Sequence, residues 1–173
     1  RILDRHGVVL ASSLPARSIW AYADRVDLTD PRLLDLARLL GMQPDDLKGK
    51  LTHGDRSFVF LKRQVDLDTA ERIAALRIHG IGQDSEYKRN YPEGEIAAHL
   101  VGFTDLAHVG QEGLELAYQS TLAGKPGSRR VIRDGTGRII SDIDQIKEPQ
   151  NGRDLKLTID SRIQYQAFQA VKE

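Results

Sequence analysis

Residues 80–92, GIGQDSEYKRNYP, decide how the middle of this chain is built. Ser85 and Lys88 stand at S-x-x-K spacing, which lets a serine nucleophile and a lysine base meet on the first turns of a helix. That chemistry needs helix here, and the stretch argues for strand. Gly80 and Gly82 precede the serine, Pro92 biases Tyr91 towards extended backbone, and no apolar residues recur at i, i+3 and i+4. In a strand, residues three apart point to opposite faces and lie about 10 Å from one another. A hydroxyl and an amine so placed cannot exchange a proton. The companion motifs of serine acyl-enzymes are missing as well: no serine is followed two positions later by asparagine, the nearest miss being Ser141-Asp142-Ile143, and neither K-T-G nor K-S-G occurs. A small serine acyl-transferase using Ser85 and Lys88 is therefore the weaker reading, and a solvated strand the favoured one.

Working outward, the segment before this strand reads as helix, strand, helix. In DPRLLDLARLLG, Asp30 can cap, Pro31 suits the first turn, Leu33, Leu36, Ala37 and Leu40 make one apolar stripe, and Gly41 ends it. A shorter helix follows from Pro44 to Leu51. SFVFLKRQV is rich in strand formers, and DLDTAERIAAL starts a helix capped by Asp66 or Asp68, with Ala70, Ile73 and Ala74 inward. At the N-terminus, ILDRHGVVLASS reads as two short strands about a His6-Gly7 turn, and SIWAY as a third after a break at Pro15.

Beyond Pro92, EGEIAAHLVG and GLELAYQSTLAG read as helices stopped by Gly102 and Gly124, the second with Leu114, Ala117, Tyr118 and Leu122 as its core face. RRVIRDGTGRIISDI reads as two strands about a Gly135–Gly137 turn. In NGRDLKLTID, Asn151-Gly152 is a turn, and Leu155, Leu157 and Ile159 alternate inward. SRIQYQAFQAVKE is helical, with Ile163, Ala167 and Val171 on one face. Strands and helices without regular βαβ alternation specify an α+β fold with short sheets and several helices.

Composition narrows the classes of function. Lysine plus arginine and aspartate plus glutamate both number 25, so no global field draws the chain to nucleic acid or anionic membrane. The absence of cysteine excludes disulfides and thiolate chemistry. No apolar run approaches the ~18 residues of a membrane helix. The chain opens at Arg1 without a starting methionine and closes inside a helical stretch, so both ends read as cut from a longer protein.

RILDRHGVVLASS, YPEGEIAAHLVGFT, GQEGLELAYQSTLAGKPGSRRVIRDGTGRII and NGRDLKLTIDSRIQ, in this order and spacing, resemble the N-terminal, non-catalytic part of class B penicillin-binding proteins, most closely the cell-division (FtsI) type. The resemblance implies an elongated α+β pedestal over 1–160, with 31–90 as an inserted head lobe and 161–173 as the start of a linker helix to a transpeptidase domain. It implies no catalytic residue and no cofactor in this segment. It further implies a periplasmic position, a membrane anchor upstream in the inner membrane, and a catalytic domain that cross-links septal peptidoglycan. The implied partners are divisome membrane proteins such as the glycosyltransferase FtsW, the chain's own transpeptidase domain, and a second copy of the chain. An elongation-type class B protein is the alternative within the same architecture.

Remaining features have plain structural readings. His6, His53, His79, His99 and His108 show no metal-ligand spacing. DGTGR, 134–138, does not join a strand to a helix as a phosphate cradle would, so a hairpin turn is preferred. Asp66, Asp68 and Glu71 fit a helix start, and Lys125, Arg129, Arg130 and Arg133 fit a solvated strand face. Trp20 and Tyr22 share one strand face, with core packing preferred over a partner-binding hot spot.

Overall fold

The computed structural model describes residues 1–52, 58–133 and 139–172. Two compact units form, Leu14–Lys88 being inserted between Arg1–Ser13 and Arg89–Glu173. The mixed α+β class expected from the sequence is what the chain adopts.

In the first unit, β1 (Ile2–Leu3) turns through Gly7, whose φ of 86° suits a residue without Cβ, into β2 (Val9–Tyr22). The pair is antiparallel, with Ile2 opposite Ala11 and Leu3 opposite Val9. Pro15 does not break β2. It is exposed and lies between the stretch paired with β1 and the stretch paired with β3 (Phe58–Val65), which begins at Arg17; neither ladder needs its missing N–H.

The chain enters the second unit along β2. There α1 (Arg32–Leu40) buries Leu33, Leu36, Ala37 and Leu40, as its stripe requires. Pro31 takes the N-cap position itself, yet Asp30 Oδ1 accepts the Arg32 N–H at 2.9 Å. α2 (Pro44–Thr52) adds Leu47 and Leu51, and β3 adds Leu61 and Val65. Of the two cap candidates for α3 (Leu67–Ala75), Asp66 is the cap, accepting the Thr69 N–H at 2.8 Å. Ala70 and Ile73 are buried, but Ala74 is exposed: the helix is short and its inward side rotates on to the half-buried Leu76. β4 (Ile81–Asn90) pairs with β2 and leads out of the unit. Ile19, Ala21, Leu36, Leu40, Leu47 and Leu61 form the centre of this core, each worth roughly 1.5–3 kcal/mol by burial for the larger side chains.

The first unit resumes with less helix than its sequence suggests. EGEIAAHLVG becomes a 3-10 turn, Gly94–Ile96, and α4 (Ala98–Val101), ended at Gly102. A Cβ at Gly102 would stand 1.9 Å from the Glu112 carbonyl oxygen, so only glycine allows the chain to pass there. The next stretch splits into α5 (Gly113–Ala117) and α6 (Gln119–Leu122) at Tyr118. The split leaves Ala117 and Tyr118 exposed, with Leu114 and Leu122 half-buried against Ile2, Leu10 and Val101 and Glu115 facing in.

β5 (Ser128–Arg133) and β6 (Ile139–Lys147) form an antiparallel ribbon, its turn lying outside the described residues. β7 (Leu155–Lys156) runs parallel to β1, and Leu155, Leu157 and Ile159 alternate towards the core as expected. α7 (Ser161–Lys172) follows, but Ile163, Ala167 and Val171 face outward; Ser161, Gln164 and Phe168 are its inward side. No helix among the described residues is long and apolar enough to cross a membrane.

The second unit's core predicts the effect of cavity formation. Leu36→Ala should cost about 3 kcal/mol, seen as an earlier midpoint in urea unfolding followed by the single tryptophan, Trp20.

Candidate interaction surfaces and buried charge clusters

The serine and lysine of the central stretch both lie on β4, which is extended throughout. Ser85 Oγ receives a hydrogen bond from the Arg17 guanidinium, and its side chain is exposed. Lys88 is exposed as well and lies near Asp66, whose carboxyl is held below the usual carboxylate range first by the Thr69 N–H and hydroxyl and then, more weakly, by this ammonium. Strand alternation separates Ser85 from Lys88, as the sequence implied. No nucleophile–base pair is assembled from them.

Trp20 and Tyr22 are not core residues. Ile19 and Ala21 point towards α1 to α3, so the intervening aromatic residues project from the other face of the sheet, where Phe58 and Phe60 on β3 join them. Ring centroids lie 5.2 Å apart for Trp20 and Tyr22, 5.5 Å for Trp20 and Phe58, and 5.1 Å for Phe58 and Phe60, mostly edge to face. Arg25 stacks over Tyr22 at 4.9 Å and Arg63 over Phe60 at 5.6 Å. The indole lies flat on Gly82: a Cβ there would come within 2.3 Å of the ring. Glycine in β4 is thus a seat for tryptophan. Core packing, the expectation from alternation alone, fails here because the face of β2 that α1 to α3 cover is set by distant residues.

Two buried acids escaped the sequence reading. Glu115, 2% exposed, accepts from Arg89 Nε at 2.7 Å, and Arg89 Nη1 reaches Ser13 Oγ at 3.2 Å. Asp4 is fully buried and accepts four hydrogen bonds, from the N–H groups of His6 and Val8 at 2.7 and 2.8 Å and from the N–H and hydroxyl of Ser161 at 3.1 and 3.0 Å. Burial by itself pushes the Asp4 carboxyl up, but these donors together outweigh it and hold the group down at about 2. Beside it, Asp160 accepts from Arg162 and contacts His6 Nε2 at 2.9 Å, with its carboxyl held well below the usual range by the Arg162 guanidinium. The available signals were a D-x-x-G turn and a lone carboxylate within an apolar helical stretch.

The other candidates stay apart. His6, His79 and His99 are exposed, His108 is half-buried in a loop, and His53 lies outside the described residues. Among the described residues no group of three or more His, Cys, Asp or Glu could hold a metal ion. Lys125, Arg129 and Arg130 are exposed, with Arg130 opposite Asp144 in the ribbon, and 134–138 lie outside the described residues. Asp66 is a cap, while Asp68 and Glu71 are exposed on α3.

Residues 1–157 match the family described as Penicillin-binding Protein dimerisation domain. The chain belongs to that family. A penicillin-binding protein dimerisation domain is a non-catalytic region, in keeping with the separation of Ser85 from Lys88. The chain is 39% identical to the probable peptidoglycan D,D-transpeptidase PenA of Neisseria gonorrhoeae over 99% of its own length and 30% of that protein. It is 38% identical to the peptidoglycan D,D-transpeptidase FtsI of Escherichia coli strain K12, over 94% of this chain and 29% of that one. The dimerisation domain therefore spans about 30% of the length of these curated relatives. Its fold is similar to a chain in the complex between Penicillin-Binding Protein (PBP2) and MreC from Helicobacter pylori, with a TM-score of 0.70, 19% identity, and coverage of 99% of this chain and 36% of that chain. Penicillin Binding Protein 2X from Streptococcus thermophilus shares the fold at a TM-score of 0.61 and 20% identity, over 99% of this chain and 29% of that chain.

Two measurements test these local arrangements. Gly82→Ala should lift the indole from β4, shifting Trp20 emission to the red and costing about 1–3 kcal/mol. The Asp4 carboxyl titrates lower in the folded than in the unfolded chain, so its stabilisation is full above about pH 4–5 and is lost as the pH falls through about 2. Thermal unfolding between pH 5 and pH 2 should accordingly show a falling Tm, with a shallower fall in Asp4→Asn.

Proposed function

We propose that this dimerisation domain is the periplasmic pedestal of a septal peptidoglycan D,D-transpeptidase anchored in the inner membrane. It positions a catalytic domain for cross-linking during cell division and offers surfaces to divisome membrane proteins, FtsW among them. The observation that carries the reading is the 38–39% identity to PenA and FtsI across 94–99% of this chain, while less than a third of those proteins is spanned. The sheet geometry supports it, because the S-x-x-K serine and lysine are kept on opposite faces of β4. The aromatic face of β2 and β3, with Phe58 and Phe60 exposed and Trp20 and Tyr22 half-buried, supplies the residue types that dominate protein–protein contacts.

Incubating the chain with a fluorescent penicillin tests the non-catalytic role. No covalent adduct is expected, and stoichiometric labelling would overturn it. Affinity capture with division proteins in one arm and rod-shape elongation proteins in the other tests the septal role. Retention of the division set is expected, and exclusive retention of the elongation set would reassign the pedestal.

A further inference from the structure

We propose that Asp4 couples the β1–β2 turn to the first turn of α7, so that one buried carboxylate fixes the direction in which the helix leaves β7 within the first unit. The two oxygens divide the work. Oδ1 accepts from the His6 and Val8 N–H groups, both in the turn. Oδ2 accepts from Ser161 N–H and Ser161 Oγ–H, both at the start of α7.

Neither task alone calls for a buried charge. The turn is already closed by backbone bonds from Asp4 N–H to the Val8 carbonyl at 2.9 Å and from Gly7 N–H to the Asp4 carbonyl at 3.1 Å. A helix start can be capped by a neutral serine or asparagine. Burying a carboxylate is costly unless every lone pair is used, and here all four positions are taken. What a carboxylate does that a neutral side chain cannot is accept at both ends at once. Its charge also complements the positive end of α7.

The neighbouring bonds leave this link a distinct part to play. Leu157 N–H to the Leu3 carbonyl at 2.8 Å and Arg5 N–H to the Ile159 carbonyl at 2.9 Å hold the chain only up to the helix. Asp160, itself little exposed, makes a parallel link by accepting the Arg162 N–H at 3.0 Å and meeting His6 Nε2 at 2.9 Å, but it reaches the turn only through the exposed His6 ring. Along α7, Gln164 Nε2 reaches the Ile96 carbonyl at 3.1 Å, and Lys172 pairs with Glu95 at 2.8 Å in solvent, where ion pairs contribute little. Asp4 is the fully buried tie, and it holds the backbone of both the turn and the helix start directly. This coupling does not depend on which cell-wall machinery the protein serves.

Asp4→Asn separates the two arms. Its amide oxygen can still serve the turn, while its NH2 faces the Ser161 N–H as a second donor, so that bond is lost and the helix arm keeps at most a bond to Ser161 Oγ as acceptor. The chain has no native cysteine, so cysteines placed at the exposed Lys156 and Gln169 would carry the only two spin labels. The distance distribution between them should be narrow in the parent and broader in Asp4→Asn. Hydrogen exchange at residues 161–164 should be about tenfold faster, with the Val8 amide unchanged. An unchanged distribution and unchanged exchange in the folded variant would overturn the proposal. Should Asp4→Asn fail to fold, Ser161→Ala decides: it keeps the Ser161 N–H bond and removes only the hydroxyl, so both readouts should move the same way by less. No movement in either would equally overturn it.

Discussion

The parallel pairing of β1 with β7 is the constraint on which the first unit rests. Ile2 lies beside Leu155 and Leu3 beside Lys156, so the first residues of the chain close a core with residues more than a hundred and fifty positions later. Leu10, Ala11, Ala97 and Val101 pack around that junction, joined by Leu114, Leu122, Leu155, Leu157 and Ile159. The buried charges are arranged about the same seam. Asp4 follows β1 directly, and the α7 start that it caps follows β7 after a few residues. Within this unit, Glu115 has its own guanidinium partner in Arg89, which avoids the penalty of an uncompensated buried charge.

The inserted unit is built on a different principle. Its sheet is covered by α1, α2 and α3 on the face of Ile19, Ala21 and Leu61, and its other face carries Trp20, Tyr22, Phe58 and Phe60. That division gathers four of the chain's ten aromatic side chains on one face. Rings that pack edge to face on one another keep part of their area from water while leaving enough exposed to meet a second surface.

Most of the element types were legible in the sequence because local rules decide them. The Leu33-Leu36-Ala37-Leu40 stripe, the cap at Asp66, the stop at Gly41 and the extended run after Gly82 each depend on neighbours within a few residues. What could not be read depends on distant partners. Pro15 leaves β2 unbroken because the β1 and β3 ladders lie to either side of it, and Glu115, within α5, turns inward to meet Arg89 from the end of β4. Trp20 changed sides for the same reason: alternation shows that it shares a face with Tyr22, not which face the helices occupy. The family resemblance was legible through four long motifs, and it agrees with the match over residues 1–157.

The closure of the sheet by strands from the two ends of the sequence also orders how the protein comes to be folded. As the polypeptide emerges in sequence, everything the inserted unit needs is present once Lys88 has appeared, whereas β1 waits for β7. Closing so long a loop directly is entropically unfavourable, but a prefolded insert whose entry strand β2 pairs with its exit strand β4 shortens the effective span. The excursion from Leu14 to Lys88 would then act as a nucleus that gathers its own flanks, leaving β7 to dock last on a β1 already paired with β2.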